Sequence, residues 1–132
     1  MADRVYGETV LRGLKTELLT MSSLAQVACS KACAAVQNHD AALAEEVVKG
    51  DDVIDEMELE LDERCTSVIA RIQPVARDLR FVLTTVRMVI DLERIADEAV
   101  TVARQVQYLP ENLPEDIQKA LGRFMQVVSD ML

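Results

Sequence analysis

Asp91-Leu92-Glu93-Arg94-Ile95-Ala96-Asp97 lies inside a long apolar run from Val75 to Val106. Around it Leu79, Val82, Val86, Val89, Ala96, Val100 and Ala103 recur at steps of three and four, which predicts one buried face of a long helix. Glu93 falls in that phase, four residues after Val89 and three before Ala96. Asp97 stands one turn further on, so the two carboxylates share a face. A carboxylate aimed near a core is costly unless a positive group meets it. Either an arginine or a metal ion must supply that charge.

The rest of the chain reads outward from this helix in both directions. Upstream, Leu11, Leu14, Leu18, Met21, Ala25, Ala28, Ala32 and Ala35 step by three and four, predicting a helix from about Tyr6 to Gln37. Its seam turns from Leu to Ala, so neighbouring helices can approach more closely toward its end. Asn38-His39-Asp40 reads as a turn, with Asp40 as N-cap of the next helix and His39 as a turn residue rather than a ligand. A second helix is predicted over Ala41–Ile72, with Leu43, Val47, Gly50, Ile54, Met57, Leu61, Cys65, Val68 and Ile72 as its seam. Gln73-Pro74 breaks the pattern, because proline ends a helix interior but starts a new helix well. The third helix is expected from about Val75 to Gln107, with Asp78 in its first turn at the positive end of the dipole. After the loop Leu109–Pro114, Glu115 and Asp116 open a fourth amphipathic pattern: Ile117, Leu121, Phe124, Val128 and Met131. It is expected to be the start of a helix cut short.

Composition narrows the function. The chain has 132 residues, sufficient for one core, with no Trp, two Phe and two Tyr, so that core is aliphatic. Four Gly and three Pro leave room for few loops. A net charge of −9 argues against nucleic acid and against anionic lipid, and points to cations or a basic protein surface. Cys29, Cys33 and Cys65 fall in apolar helical patterns and read as reduced packing thiols. Cys29 and Cys33 are one turn apart, yet no further soft ligand accompanies them. Met1-Ala2-Asp3-Arg4 runs straight into an amphipathic pattern, so no signal peptide is expected, and no apolar run reaches membrane-spanning length; the expected location is cytoplasmic.

Between Asp40 and Glu63 there are eleven carboxylates against one base, Lys49. Glu45, Glu46, Glu60 and Glu63 read as a solvated face. Asp51 and Asp55 differ, since each directly follows a seam residue and the two are one turn apart. If the second and third helices fold back about Gln73-Pro74, Asp55 comes level with about Leu92–Glu93 and Asp51 with about Ala96–Asp97. Two acidic pairs, Asp51/Asp55 and Glu93/Asp97, then meet at one height. Four converging carboxylates suit a hard or borderline cation. The competing reading neutralises them with Arg87, Arg94 and neighbouring bases. A ferritin-type di-iron centre is disfavoured, because that chemistry uses Glu-x-x-His pairs and none occurs here.

Pro74-Val75-Ala76-Arg77-Asp78-Leu79-Arg80 and Asp91-Leu92-Glu93-Arg94-Ile95-Ala96-Asp97, together with Asp51-Asp52-Val53-Ile54-Asp55-Glu56-Met57-Glu58 upstream, strongly resemble the PhoU family. The resemblance covers roughly Tyr6 to Val106. It implies one three-helix repeat of a two-repeat architecture, with Asp51, Asp55, Glu93 and Asp97 as ligands of metal ions such as iron, zinc, manganese or magnesium. It also implies a non-catalytic restraint on phosphate uptake and the phosphate-starvation response, exerted on the phosphate ABC transporter ATPase and its sensor kinase. The family usually carries Gly at the position of Ala96 and often His at that of Glu98, so packing and one neighbour of the site differ here.

The expectation is therefore an all-α, up-down three-helix bundle over residues 1–108, followed over 109–132 by a loop and a partial fourth helix. That last segment is either a truncated second repeat or a dimerisation helix, since an exposed apolar stripe needs a partner and favours a homodimer. Asp51, Asp55, Glu93 and Asp97 are the candidate metal ligands, and Arg80 and Arg94 are assigned to structural or interface ion pairs. Two rivals stand beside the metal-binding adaptor. One is a metal-free interaction module using the acidic face; the other is a carboxylate-bridged metalloenzyme.

Overall fold

The computed structural model describes residues 2–131, all of them in helices or short connections. Helix α1 spans Ala2–Asn38, α2 Ala41–Ile72 and α3 Ala76–Arg104; a 3-10 turn over Val106–Tyr108 leads to α4, Glu115–Met131. Two connections of a few residues fold α1, α2 and α3 up, down and up, and each of the three packs against the other two. The expected three-helix bundle with a further, shorter helix is what forms.

Local chemistry explains where the helices stop. Asp40 accepts a hydrogen bond from the Leu43 amide at 3.0 Å and so caps α2 as its position predicts. His39 reverses the chain with φ 49°, and the turn closes through the Asp40 amide donating to the Ala35 carbonyl at 2.9 Å. Gln73 ends α2 in the left-handed region at φ 51°, immediately before Pro74. Helix α3 begins one residue later than expected, after Val75, and its tail tightens from Val106 into a 3-10 turn.

The core follows the seam of α1. Near the α2–α3 turn it is built from large side chains, with Leu14, Leu18 and Met21 packed on Leu61, Val68, Val82 and Val89. Toward the other end it becomes small, with Ala32, Ala35, Ala99 and Ala103 alongside Cys29 and Val100. The Leu-to-Ala gradient of α1 therefore reappears as a taper in the core. All three cysteines are buried and unpaired. Burial and the neighbouring Cys33 push the Cys29 thiol up to about 11, and burial raises Cys33 as well. Protonated thiols in apolar surroundings pack; they do not ligate or attack.

Two seam positions differ from the sequence reading. Gly50 is exposed, and a Cβ added there would meet nothing within 4 Å. Ala44, Val47, Ile54, Leu61, Cys65 and Val68 are the buried positions of α2, so the three-and-four rhythm places Asp51, not Gly50, between Val47 and Ile54. In α3 the buried series is Val82, Thr85, Val89, Leu92 and Ala96, so Leu92 takes the slot expected for Glu93. Because Gly50 is a helix-interior glycine in open space, Gly50→Ala is expected to raise stability by about 0.5–1 kcal/mol. A urea-unfolding midpoint that does not move upward would contradict this placement.

Helix α4 is the loosest element. It lies along α1, with Leu121 and Val128 on the small-residue end of the core and the Gln26 side-chain amide donating to Ser129 Oγ at 3.3 Å. Ile117, Phe124 and Met131 stay 45 %, 51 % and 75 % exposed, so only part of the expected stripe is covered. Between α1, α3 and α4 lies a largely apolar cavity of about 520 Å³, lined by Cys29, Cys33, Ile95, Phe124 and Val128 among others.

Candidate metal centre

The rhythm of α2 builds the site. Stepping three and four through its buried residues leaves two slots filled by acids: Asp51 between Val47 and Ile54, and Glu58 between Ile54 and Leu61. Both are half-buried, and they stand seven residues apart on one face. Asp55 sits one residue past Ile54 on the same edge and is also half-buried. On α3, Glu93 and Asp97 each follow a buried residue, Leu92 and Ala96, by one position. That offset turns them from the core into the groove between α3 and α2.

The groove gathers five carboxylates. Asp51, Asp55 and Asp97 each bring an oxygen within 4.8 Å of the others, and so do Asp55, Glu58 and Glu93. Asp55 belongs to both groups. All four residues singled out by spacing are thus brought together, in the levels expected from antiparallel folding about Gln73-Pro74. Glu58 is a fifth member that the pairwise spacing does not name, and its signal in the sequence is that it repeats the position of Asp51 one heptad later.

The electrostatics of the groove are unfavourable as it stands. Among the described residues, the ion pairs are Arg4–Glu8, Lys31–Glu46, Lys49–Glu45, Arg64–Glu17 and Lys119–Glu115, and none reaches the groove. Arg87 and Arg94, the bases of the competing reading, leave these acids unneutralised. Asp51 is raised above the usual carboxylate range by burial and by Asp55, Asp97 and Asp52, with Arg104 opposing. Burial and the charges of Asp97 and Asp52 raise Asp55, and burial with Asp55, Asp97 and Asp62 raises Glu58. Glu93 is pushed up to about 7, first by its side-chain hydrogen bond with Asp97, then by burial and the surrounding carboxylates. One Asp51 oxygen, Oδ1, is buried with no hydrogen-bond partner among the described residues. A buried acceptor without a donor, in a ring of acids with which no base forms an ion pair among the described residues, is a cost that a bound cation would remove. The donor set fits a hard or borderline metal ion, all oxygen and all anionic.

Fold and groove together define a class: an all-α bundle that uses two adjacent antiparallel helices to present a carboxylate cluster. The PhoU domain model matches residues 18–106, and the chain belongs to the PhoU family. It is 37 % identical over 122 residues to the phosphate-specific transport system accessory protein PhoU homolog of Aquifex aeolicus, covering 92 % of this chain and 55 % of that protein. It is 37 % identical over 126 residues to the homolog of Clostridium acetobutylicum, covering 95 % and 58 %. With the phosphate-specific transport system accessory protein PhoU of Escherichia coli it shares 33 % identity over 126 residues, 92 % of this chain and 52 % of that one. The chain spans about half the length of the curated relatives it matches. Among the described residues, no helix is long and apolar enough to cross a membrane.

Proposed function

We propose that this chain is a metal-binding regulatory module that acts, without catalysis of its own, on phosphate uptake and phosphate-starvation signalling. The observation that carries the reading is the unneutralised groove: five carboxylates from two helices converge, and one buried Asp51 oxygen has no donor. Asp51, Asp55 and Asp97 would hold one cation, and Asp55, Glu58 and Glu93 a second, with Asp55 shared between them. Iron, manganese, zinc and magnesium are the candidate ions, all able to accept oxygen ligands. The bound ions supply charge that cancels the mutual repulsion of the acids and ties α2 to α3. The relatives' names place them in the phosphate-specific transport system, which supports a regulatory role at that system for this chain. The transporter's ATPase and the phosphate sensor kinase, at the cytoplasmic face, are the partners this reading assigns.

A second reading rests on the exposed edge of α2, where Asp52, Glu56, Glu60 and Glu63 face solvent. There the acids would dock directly onto a basic surface of a partner and no metal would be needed. Elemental analysis after chelator-free, tag-free purification separates the two. The expected result is stoichiometric metal in the wild type, at least one ion lost in Glu58→Gln, and none retained by Asp55→Asn/Glu93→Gln of unchanged helicity. No metal in the wild type, even after reconstitution, would eliminate the metal reading and leave the acidic docking face.

A further inference from the structure

We propose that the outward face of α3 is a docking surface for an acidic amphipathic helix of a partner protein. Arg80, Leu83, Arg87, Ile90 and Arg94 follow one another at steps of three, four, three and four. This is a second seam on a helix whose first seam is already buried in the core. The two apolar members stay open, Leu83 at 43 % and Ile90 at 50 % exposure, and all three arginines are exposed.

The arginines are not accounted for within the molecule. None of them takes part in an ion pair among the described residues, although five other Lys or Arg residues do: Arg4, Lys49 and Lys119 pair with a glutamate four residues away, Lys31 with Glu46 and Arg64 with Glu17. Arg80 has Ala76 and Thr84 at the positions where a helix would supply such an acid; Arg87 and Arg94 have Asp91 and Glu98 one turn on, yet neither forms an ion pair with it among the described residues. A solvated face has no need of leucine and isoleucine at regular intervals between its charges. A coiled-coil-like contact does, with the apolar residues in its centre and the charges selecting the partner.

The chemistry of the occupant follows from the charges. An opposing helix with its own apolar stripe, flanked by Asp or Glu, would cover Leu83 and Ile90 and place carboxylates on the guanidinium groups, which suit them bidentately. From Arg80 to Arg94 the face runs about 21 Å at the helical rise, roughly four turns of a partner helix. An anionic membrane fits less well, because Asp91, Asp97 and Glu98 lie beside the stripe and the chain carries −9 overall. The next position of the stripe is Asp97, so a docked helix would end beside the carboxylate groove. The surface itself stands on the arginines and apolar residues and does not depend on metal in that groove.

The test uses the whole chain and a labelled synthetic helical peptide of roughly three heptads, with Leu in its seam and Glu flanking it. Fluorescence anisotropy should show the Glu peptide binding at least about tenfold more tightly than the same peptide with Lys for Glu, and losing affinity with added salt. Arg80→Glu/Arg87→Glu should weaken it by about tenfold or more, while Arg12→Glu on α1 leaves it unchanged. Should the charge-reversed variant lose helicity by circular dichroism, Leu83→Ser/Ile90→Ser carries the test and should weaken the peptide without altering net charge. Equal affinity for the Glu and Lys peptides, or equal losses in the α3 variants and Arg12→Glu, would overturn the proposal. So would binding to phosphatidylserine vesicles in place of the peptide, which would make the face a lipid contact. A concentration-dependent dimer lost in the same variants, with no peptide binding, would also overturn it by making a second copy the occupant.

Discussion

Asp55→Asn/Glu93→Gln is expected to make the metal-free protein more stable at pH 7 and, at the same time, to abolish its stabilisation by metal. The opposite signs have one cause. Glu93 is pushed up to about 7 in the folded chain against an ordinary value of 4.5, because of its side-chain hydrogen bond with Asp97 and its partial burial among other acids. Between those two values the folded state binds more protons than the unfolded one, so stability is highest below about pH 4.5 on this account and falls as pH rises toward 7. Allowing for solvent screening, the loss is about 1–2 kcal/mol for this group. The amide variants remove the repulsion, so their melting temperature should be nearly flat across that range where the wild type declines. Metal acts on the same charges from the other side. A cation present at about a hundred times its dissociation constant would add about 2.7 kcal/mol to the wild type and nothing to the variant. Thermal melts from pH 4.5 to 7.5, with and without manganese or zinc, read both effects. A wild-type melting temperature that rises through this interval without metal would contradict the raised Glu93.

Leu61→Ala is expected to be among the most damaging single core truncations, costing about 2–5 kcal/mol against the 5–15 kcal/mol typical of a whole domain. Leu61 is 1 % exposed and packs in the large-residue half of the core with Leu14, Leu18 and Met21 of α1 and Val82 and Val89 of α3. It lies one heptad past Ile54 and one turn past Glu58, so it also holds the lower end of the acidic groove in register. Truncation at the other end, among Ala32, Ala35, Ala99 and Ala103, has little side chain to remove. Urea unfolding followed by circular dichroism reads the difference; a loss below about 1 kcal/mol for Leu61→Ala would show that this half of the core does not carry the fold.

The two effects bear on different parts of one design. Aliphatic packing along α1 supplies the stability that allows the outer groove of α2 and α3 to hold five acids together. Such a groove costs stability in the absence of a positive occupant, and functional sites are where that kind of cost is found.

Much of this was legible in the residues. The seam of α1 needs no tertiary information, because every member from Leu14 to Ala35 is apolar and the period of three and four has one interpretation. Both ends of α2 are legible, since Asp40 and Pro74 are local signals with local mechanisms. The level of Asp51 and Asp55 with Asp97 and Glu93 followed from an equal count of residues on either side of one tight turn. The seam was less legible where polarity and phase disagree. Steps of three and four fit Gly50 as well as Asp51 between Val47 and Ile54, and polarity alone favours the glycine; the structure exposes Gly50 and half-buries Asp51 and Glu58.

By itself, then, the sequence determined the helices, their order, the core face of α1 and the family, because hydrophobic period, caps and breakers act over a few residues. Only the tertiary structure decided that Asp51 and Glu58 occupy seam slots, that Asp55 is shared between two carboxylate groups, and that Arg87 and Arg94 leave those groups unneutralised. The physical reason is that neutralisation and burial belong to pairs of helices. Which charges meet depends on the rotation of α2 against α3, and a turn of one residue about either axis would have exchanged the acids for their neighbours.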